Sequence, residues 1–180
     1  MKKNWAYKLL ERNGWTINLV KKLPAKCVIC VAPHTSNWDF ILGILVKFAL
    51  NIKANFFMKK EWFFFPVGYL MRALGGVAIQ RNKKMRMTDA MATEFEKHES
   101  LCVAITPEGT RSYNPDWKKG FYFIAEKAGV PIVFASLDFK KKEIKLGEQF
   151  IPTGDVDADM TQIKAYYKDV NAKFPEKFGI

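Results

Sequence analysis

The sequence holds two histidines, so any imidazole chemistry rests on His34 or His98. His98 lies in the polar run Glu96-Lys97-His98-Glu99 and reads as a solvated residue at a helix end. His34 follows an apolar run and Pro33, and Asp39 comes five residues later. If a helix starts near Asn37, Asp39 falls in its first turn and can face back toward the loop. By accepting the Nδ1 proton of His34, its carboxylate would fix the tautomer and make Nε2 a better base for a hydroxyl proton. The same pair also suits a helix-capping Asp and a loop His in a purely structural hydrogen bond. A second cluster is Glu108-Gly109-Thr110-Arg111-Ser112. Gly lets a ligand approach the backbone, and Arg offers a planar fork matched to phosphate oxygens. Arg81, just past another strand-like run, adds a second cation, and the two together point to an anion site. Cys27-Val-Ile-Cys30 has the spacing of a redox or zinc motif. On a strand, however, residues three apart face opposite sides, and no second Cys or His pair completes a metal site. The three cysteines read as reduced, buried thiols.

These groups need elements to hold them. Cys27 to Ala32 is a continuous apolar run of strand length, suited to a sheet covered on both faces. After the polar residues 34–37, an apolar helix is expected over Trp38 to Leu50. Further strands are expected at 55–58, 77–80, 101–105, 130–137 and near 142–146. Helices are expected at 67–73, 82–98 (capped by Asn82), 119–128 and 158–172. The alternation predicts an α/β fold: a single domain with a largely parallel central sheet flanked by helices. Ligands in such sheets sit beyond the carboxyl ends of strands. The loops at 33–39, 80–82 and 106–112 each follow a strand, so they are expected to converge.

The chain has 180 residues, room for one domain with a real core. Its net charge of +11 predicts a polyanionic partner, nucleic acid or an anionic bilayer. With 15 Phe, 5 Trp and 6 Tyr, many beside Lys, the composition favours a membrane surface, although aromatic rings also stack on bases. Residues 1–26 carry Lys2, Lys3, Lys8, Arg12, Lys21, Lys22 and Lys26 against the single acid Glu11. With Trp5, Leu9, Leu10, Trp15, Ile17, Leu19 and Val20 among them, the segment reads as a basic amphipathic helix, bent or broken at Gly14. It could lie on a membrane, pack on the core, or do both. The expected organisation is this membrane-contacting segment at 1–26 and a catalytic domain at 27–180. No stretch reaches the roughly 18 apolar residues of a spanning helix. No signal-peptide pattern opens the sequence.

Together the motifs resemble those of the glycerophosphate and lysophosphatidate acyltransferase superfamily over about residues 30–137. His34-Thr-Ser-Asn-Trp-Asp39 fits its H-x4-D motif. Lys60-Glu61, Pro66, Gly68, Leu74 and Gly75 through Arg81 resemble the block ending in its second motif. Pro107-Glu108-Gly109-Thr110-Arg111-Ser112 fits the third, and Lys118, Gly120 and Gly129-Val130-Pro131-Ile132 the fourth. The resemblance implies the fold of that superfamily and an O-acyltransferase in phospholipid biosynthesis. His34 would be the general base and Asp39 its orienting partner, with no Ser or Cys nucleophile. Arg81, Glu108, Gly109 and Arg111, with Thr110 in support, would hold the acceptor's phosphate and glycerol part. Acyl-CoA or acyl carrier protein would bring the acyl group as co-substrate, and no cofactor or metal is implied. The expected acceptor is a lyso-lipid, 1-acylglycerol-3-phosphate first. Gln80, where the family often has an acidic residue or Ser, leaves an amino-acid-headed lyso-lipid open. A thioester or lipid hydrolase and a non-catalytic lipid- or nucleic-acid-binding protein are the alternatives. The His/Asp pair argues against the binding protein, and no nucleic acid is expected. The site of action expected is the inner face of the cell membrane, as a peripheral, cytoplasmic-side protein. Residues 62–71 are expected to wall an acyl tunnel or to touch the membrane.

Overall fold

The apolar run after Pro24 lies at the centre of the molecule, and the rest of the chain winds about it. The computed structural model describes residues 3–59, 61, 64–79 and 87–180. In chain order the first elements are α1 (Trp5–Arg12), β1 (Thr16–Leu19), β2 (Lys26–Ala32), α2 (Asn37–Leu50), β3 (Ala54–Lys59), α3 (Val67–Ala73) and β4 (Gly76–Ile79). They are followed by α4 (Met87–Glu96), β5 (Leu101–Ile105), α5 (Gly120–Ala128), β6 (Ile132–Asp138), β7 (Glu143–Phe150) and α6 (Val156–Tyr167). One seven-stranded sheet has the order β1-β7-β6-β2-β5-β3-β4. β6, β2, β5, β3 and β4 run parallel, while β7 returns antiparallel to β6 and β1 lies parallel to β7. The largely parallel sheet read from the sequence is therefore present, with an opposed pair at one edge.

β2 is buried on both faces because helices cover both. Val28, Cys30 and Ala32 point into a core with Phe121, Tyr122 and Ile124 of α5 and Ile163 and Tyr167 of α6. Cys27 and Ile29 point the other way, onto Leu10 of α1 and Leu42, Val46 and Ala49 of α2. Each Val, Leu, Ile or Phe side chain so removed from water contributes about 1.5–3 kcal/mol. The strand thus separates Cys27 from Cys30, as period two requires, and all three cysteines are free and buried. Burial pushes the Cys30 thiol up to about 12, which leaves it unreactive.

The N-terminal segment differs from its expectation. Only Trp5–Arg12 is helical; the chain turns at Gly14, with φ +79°, and Thr16–Leu19 joins the sheet as β1. The physical reason is pairing: β7 offers an open edge, and backbone hydrogen bonds to it outweigh continuation of the helix beyond Gly14. The last helix is also shorter than expected, ending at Tyr167, and β7 longer, reaching Phe150. The expected Asn82 cap lies outside the described residues, as do Lys2, Lys60, Trp62, Phe63 and Gln80. The helix it would begin is seen from Met87 to Glu96.

Candidate active site

β2 and β5 are parallel neighbours, with Cys30 opposite Ile105, so the segments after them emerge side by side at the carboxyl edge of the sheet. The first of these segments is folded by Asp39. Ser36 is the N-cap of α2 in extended conformation, and Asp39 lies in the first turn. Asp39 Oδ2 accepts the N–H groups of Thr35 and Ser36, both at 2.7 Å, and Oδ1 accepts the Ser36 hydroxyl at 3.1 Å. A carboxylate there also meets the positive end of the helix. The same Oδ2 lies 3.4 Å from Nδ1 of His34. Capping and imidazole pairing are thus not rival roles here: the caps fix the carboxylate that His34 faces. A separation of 3.4 Å is long for a hydrogen bond, which is usual at catalytic pairs before substrate binds. From the C-terminal segment, the Phe174 N–H donates to Thr35 Oγ1 at 3.3 Å and ties the loop down from outside.

Glu108 holds the other side. Its side chain is 1% exposed, and Oε1 accepts the His34 backbone N–H at 2.9 Å. Its Oε2 is buried and has no hydrogen-bond partner among the described residues. Burial pushes the Glu108 carboxyl up to about 7; the His34 N–H bond opposes this and the Asp39 charge adds to it. Asn114 Nδ2 bonds the Glu108 carbonyl at 2.8 Å, and Gly109 turns the chain with φ +66°. After it, Thr110 and Arg111 are exposed, and the Thr110 hydroxyl accepts the Ser112 N–H at 3.2 Å. Of the residues singled out in the sequence, the structure brings His34, Asp39 and Glu108 together. Gly109, Thr110 and Arg111 sit on the adjoining exposed turn. Arg81 lies outside the described residues.

A cavity of about 470 Å³ opens beside the pair, with both His34 and Asp39 in its wall. Most of the remaining wall is apolar: Val31, Phe40, Phe56, Met91, Ala104, Ile105, Phe121 and Ile124. Phe40 and Phe56 meet edge to face, with ring centroids 5.5 Å apart. A base at the edge of an apolar cleft can take a proton from a hydroxyl on a molecule whose hydrocarbon part is buried beside it. Residues 64–71 line none of this cavity; Phe64, Phe65, Tyr69 and Leu70 are instead exposed to solvent. The apolar wall comes from β2, α2, β3, α4, β5 and α5, which no local pattern could reveal. The wall also contains Lys118, which the sequence marked only as part of a motif block.

Comparison with known proteins decides the family. The sequence profile described as Acyltransferase matches residues 16–137. The chain belongs to the acyltransferase family. Within that family it is similar to a chloroplastic 1-acyl-sn-glycerol-3-phosphate acyltransferase of Brassica napus, 32% identical over 143 residues, covering 76% of this chain and 41% of that protein. It is also similar to the 1-acyl-sn-glycerol-3-phosphate acyltransferase beta of Homo sapiens, 41% identical over 115 residues, covering 59% of this chain and 39% of that one. The chain thus spans about two fifths of the length of these curated relatives. The crystal structure of PlsC, the 1-acyl-sn-glycerophosphate (LPA) acyltransferase of Thermotoga maritima, shares the acyltransferase fold. The TM-score is 0.61 at 19% identity, over 94% of this chain and 78% of that one.

Proposed function

We propose that this acyltransferase-family chain moves a fatty acyl group from an acyl thioester to the hydroxyl of a lyso-lipid, with 1-acylglycerol-3-phosphate as acceptor, in phospholipid biosynthesis. The observation that carries the reading is the His34–Asp39 pair in the wall of an apolar cavity. The names of the two curated relatives support the choice of acceptor. In the reaction, His34 Nε2 takes the proton of the acceptor hydroxyl as its oxygen attacks the thioester carbonyl. The tetrahedral intermediate collapses, the C–S bond breaks, and the imidazolium returns its proton to the departing thiolate. Asp39 orients the ring and stabilises its charged form. Ser36 is occupied by Asp39, and Cys30 is buried, so neither competes as a nucleophile. Glu108 acts here as a positioning residue, through the His34 N–H. Arg81, Thr110 and Arg111, with the open backbone at Gly109, serve the acceptor's polar end. The donor is an acyl-CoA or an acyl carrier protein thioester; both are anionic, and a net charge of +11 attracts either.

This reading includes docking on the inner face of the cell membrane. Among the described residues no helix is long and apolar enough to cross a bilayer. Trp5 and Leu9 of α1, Trp38, Ile41 and Phe48 of α2, and Phe65, Tyr69 and Leu70 near α3 are exposed. Trp5 lies against Phe48 at 5.8 Å, and Lys47 of α2 bonds the Leu74 carbonyl after α3 at 2.6 Å, so these helices adjoin. Exposed aromatic residues flanked by Lys3, Lys8 and Arg12 fit an anionic headgroup layer. Phe40 is both exposed and part of the cavity wall, which gives a lipid chain a short path from this face to His34.

The test is thiol release from an acyl thioester with and without 1-acylglycerol-3-phosphate, on vesicles containing anionic lipid. Acceptor-dependent release with a diacylated product is expected. Release that ignores the acceptor would instead mean a hydrolase, and release only with an amino-acid-headed lyso-lipid would replace the acceptor.

A further inference from the structure

Lys118 is the one Lys or Arg in the cavity wall that holds His34, among the described residues. It precedes α5, and its N–H donates to the Pro107 carbonyl at 2.8 Å, which anchors its backbone to the loop carrying Glu108. Its side chain then runs back over Gly109. A Cβ built on Gly109 would lie 2.8 Å from Lys118 Cδ and 2.9 Å from both Cε and Nζ. The glycine therefore has two reasons to be glycine: φ of +66°, and the lysine that lies against it. Lys118 is exposed, and its ammonium lies against Gly109, at the start of the exposed turn that carries Thr110 and Arg111.

The only carboxylate in the cavity wall among the described residues is Asp39, and its oxygens already serve Thr35, Ser36 and His34. Gly120, which also lines the cavity, opens α5, and the first turn of that helix has no acidic residue. A compact ammonium on a flexible stem, at the wall of an apolar cleft, is a point-charge partner for phosphate oxygens. We propose that Lys118 binds a substrate phosphate in the His34 cavity and so helps to decide which acceptor is placed against the base. This rests on the acyl-transfer reading above. The phosphate is that of the lyso-lipid acceptor or that of the donor's pantetheine-bearing carrier, and the two are separable by experiment.

The experiment measures steady-state acyl transfer by Lys118→Met and Lys118→Arg, varying acceptor and donor in turn. It uses 1-acylglycerol-3-phosphate and, as the phosphate-free acceptor, 1-monoacylglycerol. Lys118→Met keeps the stem over Gly109 and removes the charge. It is expected to raise KM for one phosphate-bearing substrate by about tenfold, the worth of one charge-assisted hydrogen bond, with kcat within about threefold. Lys118→Arg should recover most of the loss. A rise confined to the phosphate acceptor, with monoacylglycerol unaffected, assigns the contact to the acceptor; a rise confined to the donor assigns it to the carrier. Unchanged KM values for both, or an equal loss on the phosphate-free acceptor, would overturn the proposal. Absence of any acyl transfer by the folded parent protein would instead sink the acyl-transfer reading on which it stands.

Discussion

The loop after β2 and the loop after β5 leave neighbouring parallel strands, yet they are held in different ways. In the first, Thr35, Ser36 and Asp39 are all buried, and three hydrogen bonds to one carboxylate knit the loop into the start of α2. In the second, burial stops at Glu108, and Gly109 to Tyr113 are exposed. On the proposed function, the carboxylate that orients the base is thus fixed in place by the fold, whereas the side chains assigned to the head group stand in water. Such a division lets an acceptor preference change through exposed residues at little cost to the fold, while the base stays fixed.

Apart from loss of the base itself, Asp39→Asn should have the largest effect. It replaces one acceptor oxygen by a donor facing N–H groups or His34, so turnover should fall by at least about 10²-fold. Thermal or denaturant unfolding should show a loss of about 1–2 kcal/mol from the weakened cap. Glu108→Ala comes next. Removing the partner of the His34 N–H should cost about 1–3 kcal/mol and lower kcat with little change in KM. Glu108→Gln separates the bond from the charge, because the amide oxygen can still accept that N–H.

The pH dependence of stability follows from the same carboxyl. Its pKa is raised from an ordinary 4.5 to about 7 in the folded protein. Between those values the unfolded chain has lost the proton and the native state keeps it, so stability falls as pH rises through this window. The full cost, on the order of 3 kcal/mol at most, is present above pH 7. Unfolding of Glu108→Gln across pH 4.5–7.5 should lack this slope; an unchanged slope would assign it to other groups.

Effects should be smaller on the exposed side. Gly109→Ala forces a non-glycine residue into the left-handed region, at about 1–2 kcal/mol, and displaces the Lys118 side chain. Arg111→Ala should leave unfolding within about 0.5 kcal/mol of the parent, while raising KM for the acceptor severalfold. A large loss of stability from Arg111→Ala would abolish the contrast between the two loops.

Much of this arrangement was legible in the sequence, for local reasons. The spacing of His34 and Asp39 spans a loop and one helical turn, so a single cap, Ser36, settles their geometry. Strand β5 and helix α3 have the bounds read from sequence, since Thr106-Pro107 ends one and Pro66 with Gly75 brackets the other. Cys27 and Cys30 were separable because a strand's period is two. What escaped was tertiary. Thr16-Ile17-Asn18-Leu19 is too short for its alternation to stand out, and its partner β7 lies near the other end of the chain. Lys118 reads as any surface lysine until its stem is seen across Gly109. Glu108 was visible as a functional type, but its bond to the His34 backbone depends on β2 and β5 being neighbours.

The central claim is that His34 is the base for acyl transfer to a lipid hydroxyl. The most direct measurement is the mass of lipid product formed from acyl thioester and 1-acylglycerol-3-phosphate by the parent protein and by His34→Ala. Circular dichroism would confirm that both are folded. Product from the parent and a fall of about 10²–10⁴-fold in the variant is the predicted result. Product formed by folded His34→Ala at the parent rate would contradict the account.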